Sequence, residues 1–243
     1  MKKLVSLLAG ASALALLASA PAHARLQIAL QSGATTFTCF DGQLGCDQSG
    51  GANNLLIVNQ TIGGILVQIA LTQSVSGAIN ELQLSSSSII NENGVPATIR
   101  LLASDTNYVG PVHAINNSGS LTFNQNIGAP DSTLSFFADV ANAQGANPNN
   151  TPGVLLESVS GSAVTDPDSF AGSLITPFNA SGPYSMTEGA SLTLRGLGSI
   201  TGFNQSMESA AVPEPSTWAM LGLGFAGLGL AGWRRNKTAR LAV

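Results

Sequence analysis

The chain has 243 residues, of which 44% are hydrophobic and only 9% are charged, and its formal net charge is −4. Residues 25–211 contain three arginines, no lysine and twelve acidic residues, which gives this part a net charge of −9. Such a surface does not suit nucleic acid or anionic membranes, because both are bound through clustered basic residues. The composition therefore indicates an acidic domain between two ends that hold the other basic residues.

The first 24 residues have the three parts of a secretory signal peptide. A basic start and a short apolar run precede Ala22 and Ala24, which form an A-x-A cleavage site directly before Arg25. The apolar run is too short for a permanent membrane anchor. We therefore expect export through the Sec translocon and cleavage by signal peptidase, so that the mature chain begins at Arg25.

The middle of the chain, residues 25–203, contains many short strand patterns. Residues 64–71 and 133–140 alternate apolar and polar side chains at period two, which is typical of strands with one buried face. Similar runs occur at 26–30, 35–40, 55–58, 97–103, 119–123, 154–159 and 191–195. Clusters of Asn, Gly and Pro separate the runs, and helical periodicity is weak throughout. The pattern predicts an all-β ectodomain with an antiparallel, β-sandwich-like fold.

The last part of this ectodomain is expected to be a hairpin followed by a linker. Residues 183–188 and 191–194 have the polar and apolar alternation of two short strands. The polar residues 204–211 are predicted to be a short linker to the C-terminal segment.

Cys39 and Cys46 are the only cysteines of the chain. Asp41 and Gly42 between them form a strong turn signal, so the two thiols can meet across a short loop. A metal site needs further Cys or His ligands, and a redox site is typically C-x-x-C, which is absent here. In an exported protein this pair predicts a disulfide.

The search for catalytic chemistry finds isolated residues only. His113 is the one histidine left after signal-peptide removal, and neither G-x-S-x-G nor H-E-x-x-H occurs in the sequence. We therefore expect no catalytic residues, no cofactor and no enzymatic activity. Asp166 and Asp168 are weak candidates for calcium ligands, or for the paired carboxylates of a hydrolase. The alternative is that they form a solvated turn.

The C-terminal end has the features of a membrane segment. Residues 218–233 are apolar and uncharged with a tryptophan at each end, which predicts a single transmembrane helix. This run is preceded by Val212, Pro213, Glu214, Pro215, Ser216 and Thr217, and it is followed by the basic residues Arg234, Arg235, Lys237 and Arg240. By the positive-inside rule, the basic cluster keeps residues 238–243 in the cytoplasm and the ectodomain outside.

The order of these features across residues 212–237 resembles the PEP-CTERM sorting signal of bacterial envelope proteins. The resemblance implies an exosortase-type membrane protease as partner, which removes the tail and releases the ectodomain to the cell surface or the exterior. Systems of this family are associated with exopolysaccharide, which becomes a further candidate partner.

Three functional hypotheses follow. The first is a structural or adhesive protein of the cell surface or extracellular matrix, in the context of a biofilm. The second is a carbohydrate-binding module, although the ectodomain has no tryptophan and only two tyrosines, Tyr108 and Tyr184, for stacking on sugars. The third, which ranks below the first two, is a hydrolase that uses carboxylates.

Overall fold

The computed structural model describes residues 25–51, 54–77, 79–209 and 222–226. Twelve strands make up the fold: β1 (Gln27–Ser32), β2 (Thr35–Phe40), β3 (Leu55–Ile62), β4 (Ile65–Val75), β5 (Glu81–Asn91), β6 (Ala97–Tyr108), β7 (Val112–Asn124), β8 (Ser132–Asp139), β9 (Val154–Gly161), β10 (Asp168–Ala180), β11 (Tyr184–Leu194) and β12 (Ser199–Ser209). Sheet A has the order β2-β1-β6-β11-β8-β9, and sheet B has the order β10-β7-β12-β5-β4-β3. All neighbouring strands are antiparallel, so the predicted antiparallel β-sandwich is confirmed.

The core lies between the two sheets and follows from period-two alternation. On β8, Leu134, Phe136 and Ala138 are buried, while Ser135 and Phe137 on the opposite face are only half-buried. The largest side chains without solvent contact come from both sheets and include Tyr108, Phe123, Phe136, Tyr184 and Phe203. Burial of each such side chain contributes roughly 1.5–3 kcal/mol, so the buried faces stabilise the sandwich.

Three strands were not predicted, namely β5, β10 and β12. The predicted linker 204–211 was wrong in its first part, because β12 continues to Ser209. This strand is easily missed since its outward positions are polar and its inward positions include a glutamine. The buried residues in its second half are Phe203, Gln205, Met207 and Ser209.

The predicted hairpin at residues 183–194 was also wrong, because Tyr184–Leu194 is one unbroken strand. This strand, β11, lies in the middle of sheet A and pairs with β6 and β8. Its alternation continues through Gly189, where a pattern read locally suggests a break. Strand pairing on both sides explains why the glycine does not end the strand.

Both terminal segments fall largely outside the described residues. This holds for the predicted signal peptide, which stays a prediction, for residues 212–217 and for the basic cluster. Within the predicted membrane segment, residues 222–226 form a short helix. Among the residues that the structure describes, no helix has the length and apolar character needed to cross a membrane.

The segment between β8 and β9, residues 140–153, folds back across the outer face of sheet A. We refer to it as the β8–β9 loop. The Gly145 backbone N–H donates to Ser104 Oγ at 2.9 Å, and Gln144 Nε2 donates to the Ser104 carbonyl oxygen at 3.1 Å. A Cβ on Gly145 would lie 3.1 Å from Leu102 Cδ1, so the loop backbone packs closely on this leucine. Leu102 is therefore buried although it faces away from the core.

The predicted disulfide between Cys39 and Cys46 is confirmed, with a Cα–Cα distance of 5.9 Å. Cys39 is fully buried at the end of β2, so the bridge fastens the following loop to the core. Asp47 adds to this by accepting hydrogen bonds from the Gly42 and Ser49 backbone N–H groups, both at 2.8 Å. The covalent and polar contacts together hold residues 39–49 in place.

One end of the interior is polar. Ser74 Oγ lies 2.9 Å from Tyr108 Oη, and Asn80 Nδ2 donates to Tyr184 Oη at 3.0 Å. The two tyrosine rings are 5.7 Å apart and carry no solvent exposure. Asp105 also faces this interior, and its burial raises the pKa of its carboxyl. These pairings satisfy buried hydroxyls that would otherwise cost free energy.

Glu188 is the second carboxyl in the core, on β11, and it has no solvent exposure. Neither of its carboxylate oxygens accepts a hydrogen bond of good geometry. Burial raises the pKa of Glu188 well above its usual range, the charge of Glu81 adds to the effect, and the Met207 backbone N–H opposes it. On the facing strands, Gln205 Oε1 and Asn117 Oδ1 are buried acceptors without partners. A protonated Glu188 can donate a hydrogen bond in this interior, which a carboxylate cannot do.

Replacement of Glu188 by Gln is expected to raise the Tm at neutral pH and to change it little near pH 4. A carboxyl whose pKa is raised in the folded state stabilises the fold while it is protonated. That contribution is complete below the unfolded-state pKa of about 4.3 and is lost as the pH rises through the folded-state pKa. Glutamine stays neutral, so the Tm difference between E188Q and the parent should grow towards about pH 8, by about 2–4 °C for each kcal/mol.

Thermal unfolding followed by circular dichroism measures this difference. Glu208→Gln is the matched control, because Glu208 is an exposed carboxylate on the neighbouring sheet. Parallel curves of Tm against pH for E188Q and the parent would show that Glu188 is ionised in the folded protein.

Candidate functional site

Two adjoining depressions mark the outer face of sheet A. The first lies beside the β8–β9 loop, over β6, β8 and β11, and has a volume of about 250 Å³. The second lies towards β1 and has a volume of about 290 Å³. Arg100 lines both, so the two depressions meet at this side chain, and we refer to them together as the sheet A groove. Its principal polar and aromatic side chains are Gln31, Arg100, Thr133, Phe137, Asn149 and Ser191.

Strand register aligns the polar groups of the groove in one row. Ser191 of β11 is paired with Thr133 of β8 on one side and with Arg100 of β6 on the other. Arg100 is in turn paired with Gln31, and Gln31 with Thr36. Neighbouring strands lie about 4.8 Å apart, so this row extends for roughly 19 Å across five strands. An extended ligand can therefore contact successive hydroxyl, guanidinium and amide groups.

The β8–β9 loop supplies the amide that holds the centre of this row. Arg100 Nη1 donates to Asn149 Oδ1, and Asn149 Nδ2 donates to Gln31 Oε1 at 2.5 Å. Asn149 is itself oriented by Asn147, whose Oδ1 accepts from the Asn149 backbone N–H at 3.0 Å. The three planar groups of Arg100, Asn149 and Gln31 are thus linked before any ligand binds. Such prior ordering lowers the entropic cost of binding.

Phe137 provides an aromatic surface in the groove. Its ring is half-buried on the outer face of β8, beside Gly189 of β11. A Cβ on Gly189 would lie 3.7 Å from Phe137 Cε2, so the absence of a side chain there leaves space against the ring. The two tyrosines weighed as stacking residues, Tyr108 and Tyr184, have no solvent exposure and cannot serve. The period-two alternation of β8 places Phe136 inward and Phe137 outward. This alternation is the sequence signal that could have identified Phe137 as a site residue.

Of the acidic residues proposed as weak calcium candidates, Asp166 lies in the loop before β10 and Asp168 is the first residue of β10, so both are outside the groove. Asp168 accepts hydrogen bonds from the backbone N–H groups of Val164 at 2.7 Å and Ser169 at 2.8 Å, and these bonds lower the pKa of Asp168. Asp166 Oδ1 accepts from the Gln125 backbone N–H at 2.8 Å. These contacts fit the turn-forming alternative. Within the described ranges, no three His, Cys, Asp or Glu side chains cluster as metal ligands would.

The groups needed for acid–base catalysis lie elsewhere. Asp105 and Glu188 have raised pKa values, but both face the interior of the sandwich. His113 is exposed on sheet B, where its Nδ1 lies 2.7 Å from Asn179 Oδ1. The described residues that line the groove include neither a carboxylate nor an imidazole. The groove is thus equipped for hydrogen bonding and stacking.

Several solved structures align weakly with this chain. The carbohydrate-binding module TmCBM61, solved with β-1,4-galactotriose, is 8% identical with a TM-score of 0.30, and the match covers 62% of this chain and 90% of that chain. The xylan-binding domain CBM22-1 of Paenibacillus barcinonensis Xyn10C is 12% identical with a TM-score of 0.26, covering 67% and 89%. The VP2 particle protein of infectious bursal disease virus is 10% identical with a TM-score of 0.34, covering 80% and 54%. Likenesses this weak give no information on the ligand.

No curated protein matches the chain. A family model does match, and its description is the PEP-CTERM protein-sorting motif. The matched residues, 211–236, contain the Pro-Glu-Pro stretch, the apolar run, and Arg234 and Arg235 of the basic cluster on which the resemblance was based. Residues 211–236 of this chain are therefore a PEP-CTERM protein-sorting motif.

Proposed function

We propose that this protein is exported, is processed at its PEP-CTERM tail by an exosortase-type protease, and acts as a polysaccharide-binding adhesive protein. Its place of action is the cell surface or the extracellular matrix. The tail motif at residues 211–236 supports the export and surface parts of the proposal. The sheet A groove supports the binding part.

The row of polar groups beside an open phenyl ring is the observation on which the binding function depends. Sugars present hydroxyl groups, which both donate and accept hydrogen bonds, together with C–H surfaces. Thr133 and Ser191 offer hydroxyls, Asn149 and Gln31 offer planar amides, and Phe137 offers an apolar ring. A few placed polar groups around an apolar surface are the usual composition of a ligand site.

Binding without catalysis fits the groove better than hydrolysis. Glycoside hydrolysis needs two carboxyls on either side of the scissile bond. Asp105 and Glu188, whose pKa values burial raises, are enclosed between the sheets and face no groove. The proposed role is therefore adhesion, with the polysaccharide as ligand rather than substrate.

Exosortase-type processing of the tail predicts a mature protein with a defined first and last residue. In the native host, the species outside the cell should begin at Arg25 and end close to Pro215, while a Glu214→Ala variant should remain in the envelope with residues 218–243 attached. Removal of the acidic residue between two prolines changes the motif but leaves the apolar run intact. Intact-mass spectrometry of envelope and medium fractions measures both outcomes.

Glu208→Ala serves as the matched control for the tail, because it removes an exposed glutamate upstream of the motif. This variant should be processed like the parent protein. Recovery of a parent species from the medium that still contains residues 218–243 would contradict exosortase-type processing.

We expect that removal of the Phe137 ring weakens polysaccharide binding. Phe137→Ala should weaken binding about tenfold, which corresponds to about 1.4 kcal/mol and is a typical loss for a central contact. Affinity electrophoresis of the ectodomain in gels containing the host's matrix polysaccharide, or neutral and acidic reference polymers, measures the change.

Phe40→Ala is the control for this variant, since Phe40 is 37% exposed on β2 and does not line the groove. It should migrate like the parent in the same gels. Equal retardation of the parent, F137A and F40A would place binding outside the groove, and absence of retardation by every polymer would overturn the binding function.

A further inference from the structure

We propose that the sheet A groove selects polysaccharides that carry carboxylate groups, and that Arg100 is the residue that recognises them. This inference rests on the proposed function and names its ligand class. It follows from the charge of the groove and from the position of Arg100 at the centre of the polar row. It also follows from the fact that no carboxylate among the described residues pairs with this arginine.

The groove has a charge opposite to that of the domain around it. Residues 25–211 have a net charge of −9, yet Arg100 is the only charged residue among the described residues that line the groove. The other two arginines lie elsewhere, Arg25 at the start of the described chain and Arg195 at the end of β11. Arg195 is occupied, because its Nη1 donates to the Ile127 carbonyl oxygen at 2.7 Å. Arg100 is therefore the one arginine among the described residues that lines the candidate site.

Arg100 has donors to spare. Its guanidinium makes one hydrogen bond to a described residue, from Nη1 to Asn149 Oδ1, and no described carboxylate pairs with it. A guanidinium has five N–H donors in a fixed fork that matches the two oxygens of a carboxylate. Paired N–H···O⁻ bonds of this kind are about twice as strong as neutral hydrogen bonds. A neutral sugar uses only part of this capacity.

The contacts around Arg100 fix the direction of the fork. The side chain of Asn149 lies between Arg100 and Gln31 and bonds to both, so it restricts the guanidinium on the side of the β8–β9 loop. Ser191, which is paired with Arg100 in the neighbouring strand, places a hydroxyl-bearing residue beside it. A sugar carboxylate at Arg100 would therefore have ring hydroxyls within reach of Ser191 and Thr133, and the ring of Phe137 lies further along the same groove.

The surrounding acidic residues oppose the approach of a polyanion but do not cancel a direct contact. Charges separated by more than about 8 Å are largely screened at physiological ionic strength, whereas a hydrogen-bonded ion pair is not. The preference for carboxylates should therefore depend on Arg100 itself and not on net charge. This separates the proposal from nonspecific attraction.

The test compares polymers that differ only in charge. Affinity electrophoresis is run at about 0.15 M salt, the physiological ionic strength, in gels that contain polygalacturonate, alginate or hyaluronan. At least one of these polymers should retard the ectodomain. The fully methyl-esterified form of that polymer should bind about tenfold more weakly, the effect of losing one charged contact of about 1.4 kcal/mol. Arg100→Gln should remove this preference. Arg100→Lys should keep only part of it, because lysine is a point charge without the fork.

Arg195→Gln is the matched control, because it changes the net charge by the same amount at a site outside the groove and should keep the preference. Circular dichroism confirms that each variant is folded. Equal binding of the acidic and esterified polymers, or a preference that survives R100Q, would overturn the role of Arg100. Binding only to neutral polymers such as galactan or xylan would overturn this inference and leave the polysaccharide function intact, whereas no binding to any polymer would overturn both.

Discussion

Each sheet buries one face against the other, and this burial decides which side chains of every strand remain available for a ligand. On β6 and β11 the inward positions fill the space between the sheets, and the outward positions form the floor of the groove. A change of one residue in register would exchange the two sets and place Arg100 in the core. The core and the candidate site are therefore two results of the same alternation.

The outer face of sheet A would be a flat surface without the β8–β9 loop. The loop is fastened by hydrogen bonds to Ser104 and by close packing of Gly145 on Leu102. This cover forms one wall of the groove and places Asn149 between Arg100 and Gln31. A polar loop thus gives the sheet both a concave shape and an ordered set of donors, which are the two properties that a flat sheet lacks.

The interior contains several buried polar side chains, among them Ser74, Asn80, Asp105 and Glu188. The tyrosine, serine and asparagine side chains at one end form hydrogen bonds with one another. The carboxylate oxygens of Glu188 have no such partner, so this buried side chain stabilises the fold only in its neutral form. The domain is acidic and contains no lysine, and this composition determines the charge of its surface. With so few basic residues, a single arginine in a groove is enough to distinguish that groove from the rest of the protein.

Local sequence determined a large part of this protein. Short-range patterns predicted the β-sandwich, the Cys39–Cys46 disulfide and the sorting motif at residues 211–236, because each depends on neighbours within a few residues. Polar strands such as β12 escaped prediction, since serine, asparagine and glutamine become strand residues only when partners on both sides satisfy their backbone. In the structure, the period-two alternation of β8 and β6 places Phe137 and Arg100 away from the core. This alternation does not show that they are close.

Only the tertiary structure decided the site. Gln31, Arg100, Thr133 and Ser191 come from four strands that are far apart along the chain, and they form a row because the sheet has the order β1-β6-β11-β8. That order follows from how two sheets can bury their apolar faces together, which is a property of the whole domain and leaves no trace in any short segment.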